Sequence, residues 1–169
     1  MTAPRYQVAF HDSKYFIKLS GELRYTDCVS FNQFLKKICR EDDYTDIMID
    51  VTEADFLDST NLGLIAKLAL HVQSKFKHKL VVLSSRSHVT KSMTSMGLGH
   101  LCDFLEYADD GEDEVEVDEV AEADDPDMTA VMLEAHRTLM GLSEENENLF
   151  KSVVTLLEDS VGEGGESSS

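Results

Sequence analysis

Apolar residues fall along this chain in two rhythms. "YQVAF" at 6–10 and "YFIKL" at 15–19 are short apolar or alternating runs separated by His11, Asp12, Ser13 and Lys14, and they predict a β-hairpin. After "SGELRYTD" the period lengthens: Phe31, Phe34, Leu35 and Ile38 recur at helical spacing, with Thr26 or Asp27 as the cap. "DIMIDV" has the compact apolar character of a buried strand. "LGLIAKLALHV" carries apolar residues on nearly every side and predicts a deeply buried helix. "KLVVLSS" predicts a further buried strand. Val89, Met93 and Met96 predict a short helix that ends at Gly97-Leu98-Gly99, and "CDFLEY" predicts a last strand.

The order β-β-α-β-α-β-α-β predicts an α/β fold with a mixed, mostly parallel β-sheet. The crossover helices are right-handed, and the opening hairpin adds an antiparallel pair. Functional loops gather at the carboxyl ends of such strands. The segment from Asp55 to Ser59 leaves "DIMIDV" at that kind of end.

The pattern divides the chain into a domain over 1–107, an acidic flexible linker over 108–127, a C-terminal helical segment over 128–160 and a disordered tail over 161–169. Asp125 and Pro126 are placed to cap and start a helix carrying Met128, Val131, Met132, Ala135 and Leu139, with Gly141 ending or bending it. A second helix begins at Ser143 and gathers Leu149, Phe150, Val153, Leu156 and Leu157 on one face. Two short amphipathic helices are not stable alone, so they must pack on the domain, on each other or on a partner.

Charge sharpens this division. Of the formal net charge of -18, residues 106–127 supply 13 acids and no base, whereas residues 1–105 are close to neutral. No basic stripe exists to neutralise phosphates, which argues against nucleic acid as a partner; Lys75, Lys77, His78 and Lys79 fall at a helix-to-strand turn, an ordinary place for exposed lysines. An acidic surface suits a basic protein partner or simple solubility. Cys28, Cys39 and Cys102 are odd in number and widely spaced, as buried thiols in a reducing compartment are. The start "MTAPRYQVAF" lacks a secretory pattern, and no run approaches the roughly 18 apolar residues of a membrane span, so the expectation is a cytoplasmic protein without a membrane partner. His11, His71, His78, His88, His100 and His136 show no metal-ligand spacing, and "DDGEDEVEVDE" does not follow the ligand order of a calcium loop; no metal or cofactor is expected.

The chemistry centres on "DFLDSTNLG" at 55–63. Ser59 follows Asp58 where a strand gives way to a helix, and one reading makes it a helix cap. The other makes it a modification site, because free N–H groups and the positive end of the helix dipole accommodate a phosphate there. That phosphate adds about -1.5 to -2 charges beside Glu53, Asp55 and Asp58.

"DIMIDVTEADFLDSTNLGLIAKLA", taken with the strand order, resembles the STAS domain of bacterial anti-sigma factor antagonists, whose signature at the second helix is D-S-(S/T)-G-(L/I)-G. "SGELRYTD" resembles that family's S/T-G-E-L-D loop, and "VTKSMTSMGLGHL" its last crossover helix; the likeness covers roughly residues 4–107. The resemblance implies that Ser59 is phosphorylated by an anti-sigma factor with serine-kinase activity, with Thr60 the lesser acceptor. Unmodified antagonist then binds the anti-sigma factor and frees its sigma factor, the phosphorylated form lets go, and a phosphatase resets it. ATP and Mg2+ belong to the kinase. The implied partner surface joins Gly21, Glu22, Arg24, Thr26, Asp55, Asp58, Ser59, Thr60 and Asn61, with Ser87 and His88 at its rim. Asn61 stands where the family usually has glycine, and Arg24 where it has aspartate. The arrangement resembles most the pseudomonad-type antagonist that links a phosphorelay to motility and biofilm control, with a flagellar anti-sigma factor as partner. The competing readings are a STAS adaptor that works without phosphorylation and a hydrolase. "LDSTNLG" is not the G-x-S-x-G elbow, and no histidine is tied to Ser59 by sequence.

Overall fold

The computed structural model describes residues 3–106, 118–121 and 127–166. β1 (Arg5–His11) and β2 (Lys14–Leu23) form the hairpin, and Asp12 and Ser13 both take positive φ at its turn. A single 3-10 turn then leads into α1 (Cys28–Arg40), and β3 (Asp46–Leu57), α2 (Ser59–Phe76), β4 (Leu80–Leu83), α3 (Ser87–Ser95) and β5 (Cys102–Leu105) complete the predicted order. β2, β3, β4 and β5 are mutually parallel neighbours, and among the described residues only the pairs made by β1 are antiparallel.

Alternation along β3 explains the layering. Ile47, Ile49 and Val51 are fully buried, while Asp46, Met48 and Asp50 between them are only partly so. α2 lies over this apolar face, and Leu62, Leu64, Ile65, Leu68, Ala69 and Val72 all disappear from solvent, as its nearly uniform apolar character predicted. α1 contributes Phe31, which is stacked on Tyr6 of β1 at 4.8 Å between ring centroids.

Three boundaries differ from expectation. β3 does not stop after "DIMIDV" but runs on to Leu57, so Asp55 is strand rather than loop. Register shifts against β2, between Lys18 and Ser20 and again between Gly21 and Glu22, let the two strands stay paired that far, and Gly21 supplies a φ of 81° there. The expected linker contains a short strand, β6 (Asp118–Glu119), antiparallel to β1; Val120 N–H donates to Tyr6 O at 2.9 Å, and Arg5 pairs with Glu119 at 2.5 Å. Most of the linker, with Asp125 and Pro126, lies outside the described residues.

α4 (Met128–Met140) is capped by Asp127, whose carboxylate accepts from Ala130 N–H at 3.2 Å. α5 (Glu144–Glu166) continues across 161–166, where disorder was expected. Each helical glycine there costs about 1 kcal/mol relative to alanine but keeps its N–H, so the hydrogen-bond ladder can continue. The two helices pack on each other, and α4 packs on α1 and α2. Asn146, 2% exposed, fastens the pair by donating to Leu139 O and to Met96 O, both at 2.8 Å.

Candidate functional site

The site forms where β2 and β3 end together. Asp58 follows β3 in extended conformation, its N–H held by Leu23 O at 3.1 Å, and its carboxylate does two tasks. Oδ1 accepts from Asn61 N–H at 3.0 Å and from the Asn61 amide at 2.9 Å; Oδ2 accepts from Tyr25 N–H at 2.5 Å. Asp58 is therefore the cap of α2 and also ties down the β2–α1 connection. Ser59 is the first helical residue and not the cap, which removes the physical basis of the capping reading for its hydroxyl.

The other predicted residues are drawn together unequally. Thr60 and Asn61 are 2% and 0% exposed, so they support the surface from beneath; Asn61 Oδ1 accepts from the Tyr6 hydroxyl at 2.5 Å. Gly21 is also buried, whereas Glu22 is half-buried and Arg24 and Thr26 are exposed. Arg24 lies 3.5 Å from Glu22 and holds its guanidinium 4.9 Å from the centre of the Phe56 ring. Ser87 and His88 are exposed at the start of α3, and His88 Nε2 lies 2.9 Å from Asp55 O. Arg86 pairs with the Asp55 carboxylate and donates to Ala54 O at 3.2 Å, which pins α3 to the end of β3.

Tyr25 and Phe56 were not singled out by sequence reasoning, yet they are 44% and 41% exposed beside Arg24. Exposed aromatics with an arginine are the composition of protein-binding surfaces. Cys28, just beneath, has its thiol pushed up to about 12 by burial and then by the Asp58 charge, so it is an inert packing group.

His136 is the larger omission. Its Nε2 lies 2.8 Å from Ser59 Oγ across 77 residues of sequence, and its Nδ1 lies 2.6 Å from Met132 O. Only a protonated nitrogen can face a carbonyl oxygen, so in the neutral ring Nε2 is the acceptor and the serine hydroxyl donates to it. The ring is 4% exposed and packs edge-on to Phe150 at 5.3 Å.

Glu134 of α4 reaches Lys67 of α2 at 2.5 Å and Lys36 of α1 at 3.9 Å. Burial by itself raises the carboxyl pKa, but the Lys67 hydrogen bond and the charges of Lys67 and Lys36 together outweigh it, and the net shift is downward. A depressed carboxylate contributes stability above its unfolded value of about 4.3, and that contribution is lost as pH falls through the folded pKa. Acidification below about pH 4 should therefore loosen α4, and Glu134→Gln should flatten this dependence. Amide exchange of α4 against pH measures both; equal acid sensitivity in the variant would exclude Glu134 as the cause.

Among the described residues no three His, Cys, Asp or Glu side chains converge as a metal site, and no helix is long and apolar enough to cross a membrane. Residues 6–107 match the family model described as "Mlab, STAS domain". No curated protein matches the chain. Among solved structures it is similar to the anti-sigma factor antagonist SpoIIAA in its unphosphorylated form, with a TM-score of 0.53 and 18% identity, covering 62% of this chain and 89% of that one; at this identity the likeness is one of fold. With its mixed sheet, its strand-end aspartate and the helix that begins at Ser59, the chain belongs to the STAS domain family.

Proposed function

We propose that this protein is an anti-sigma factor antagonist controlled by phosphorylation of Ser59. The observation that carries the reading is the division of labour at the start of α2: Asp58 caps the helix, so the Ser59 hydroxyl can be modified without loss of the cap. The unmodified face, with Glu22, Arg24, Tyr25, Thr26, Phe56 and Ser59, binds the anti-sigma factor and frees its sigma factor. Phosphate there adds about -1.5 to -2 charges next to Asp58 and opposes the same contact through desolvation and like-charge repulsion. A serine kinase and a phosphatase set the balance, and a flagellar anti-sigma factor would couple the switch to motility and biofilm control.

The test uses full-length Ser59→Ala and Ser59→Asp baits in native lysate, with retained proteins identified by mass spectrometry and the wild-type bait examined for phosphoserine. The expected result is an anti-sigma factor on the alanine bait, its loss from the aspartate bait, and phosphate on wild-type Ser59. Identical partners on both baits with Ser59 always unmodified would make the protein a STAS adaptor.

A further inference from the structure

We infer that α4 covers, within the same chain, the Ser59 end of the surface that the anti-sigma factor uses, so that the conformation described here is self-occluded at that end while Arg24, Tyr25, Thr26 and Phe56 stay exposed. The inference rests on the reading of Ser59 above and adds to it a competitor built into the chain.

Three contacts place α4 across the start of α2. His136 holds the Ser59 hydroxyl at 2.8 Å with a ring that is 4% exposed. One turn on, the backbone of α4 comes so close to Gly63 that a Cβ there would lie 2.4 Å from Ala135 O and 2.7 Å from its carbonyl carbon. Farther along, Lys67 meets Glu134 at 2.5 Å. Glycine at 63 is therefore a fitted groove for a crossing helix. An element that replaces α4 there must itself be a helix with a small residue at the crossing and a hydrogen-bonding group opposite Ser59.

Modification is opposed by the same arrangement. Transfer of the γ-phosphoryl group of ATP forms a bond from Ser59 Oγ to phosphorus, breaks the bond to departing ADP, and gives the hydroxyl proton to the kinase's base; it requires Oγ to face phosphorus in line. Here that hydroxyl, on a half-buried residue, is turned to His136 of α4.

Several features make this contact a reversible one. The family match ends at residue 107, and α4 follows a segment rich in acids. Beside the buried Val131, Ala135 and Leu139, part of the fastening is polar and wet: the Glu134 side chain is 48% exposed. α5, which backs α4, leaves Leu149 and Leu156 57% and 68% exposed.

The test substitutes Ala135, fully buried against Gly63, by glutamate in the full chain, which leaves every residue of the STAS face unchanged. In a Ser59→Cys background, the alkylation rate at position 59, mapped by mass spectrometry, reads α4 coverage with no partner present. In the Ser59 protein, affinity for the anti-sigma factor retained by the Ser59→Ala bait reads competition. A binding face exposed only a small fraction of the time weakens apparent affinity by that fraction, so both readouts should rise by about tenfold or more. Asn146→Ala, which frees the helix pair at its other end, must move both in the same direction and guards against misfolding of the first variant. Unchanged alkylation would overturn the inference alone. Faster alkylation with unchanged or weaker affinity would make α4 a neighbour or a part of the interface, not a competitor. Absence of any retained anti-sigma factor, with alkylation accelerated, would remove the reading of Ser59 and the competition with it.

Discussion

Gly63→Ala should release α4 while leaving the α/β core folded. Alanine is the better helix former by about 1 kcal/mol, so within α2 the change is favourable. The new methyl, however, would stand 2.4 Å from Ala135 O and 2.8 Å from Ala135 Cβ, and the first of these is backbone that cannot swing aside. Overpacking of this kind typically costs about 1–3 kcal/mol, and α4 can escape it by moving away. Hydrogen exchange should show α4 and α5 losing protection while β2, β3 and α2 keep theirs. Retained protection in α4 would mean that the helices accommodate the methyl, and that the close approach does not govern docking.

Phe31→Ala should be the most damaging single truncation, costing about 3–5 kcal/mol of global stability. The ring is fully buried, and its stacking partner Tyr6 is the residue whose hydroxyl donates to Asn61 Oδ1 at 2.5 Å. A cavity on one side of Tyr6 lets the phenol tilt, and a buried amide oxygen that loses its donor costs about 1–3 kcal/mol. The Phe31→Ala and Tyr6→Phe changes should therefore be strongly non-additive in urea unfolding. A loss below about 1 kcal/mol, or simple additivity, would show that the core and the support of the Ser59 surface are energetically separate.

What could be read in advance followed from local rules. Apolar period and turn residues identify every element from β1 to β5, because each rests on its own residues: Ile47, Ile49 and Val51 alternate, and Leu62 to Val72 are apolar all round. The junction at Asp58 and Ser59 was legible for the same reason. Which of the two caps α2 was not, since either oxygen can serve and the choice depends on Tyr25, 33 residues away, drawing the Asp58 carboxylate into place. Tyr25 and Phe56 carry no local signal of exposure; the strand ends put them at the surface. β6 has an acidic sequence that predicts solvent, and only the open edge of β1 gives its backbone somewhere to bond. His136 is one of six histidines with nothing local to distinguish it, because its meaning arises from the packing of α4 on α2.

The β6 strand also sets a distance. Anchored at Glu119, the chain has residues 120–127 in which to reach α4, a span of at most about 26–29 Å when fully extended. A tether that short keeps α4 at an effective concentration on the order of millimolar over α2. An incoming helix at cellular abundance thus meets a rival that adds proximity to its contacts. β6, by gripping the sheet edge, acts as a length adjuster for that rivalry: its hold on β1 sets how much chain is left between anchor and α4.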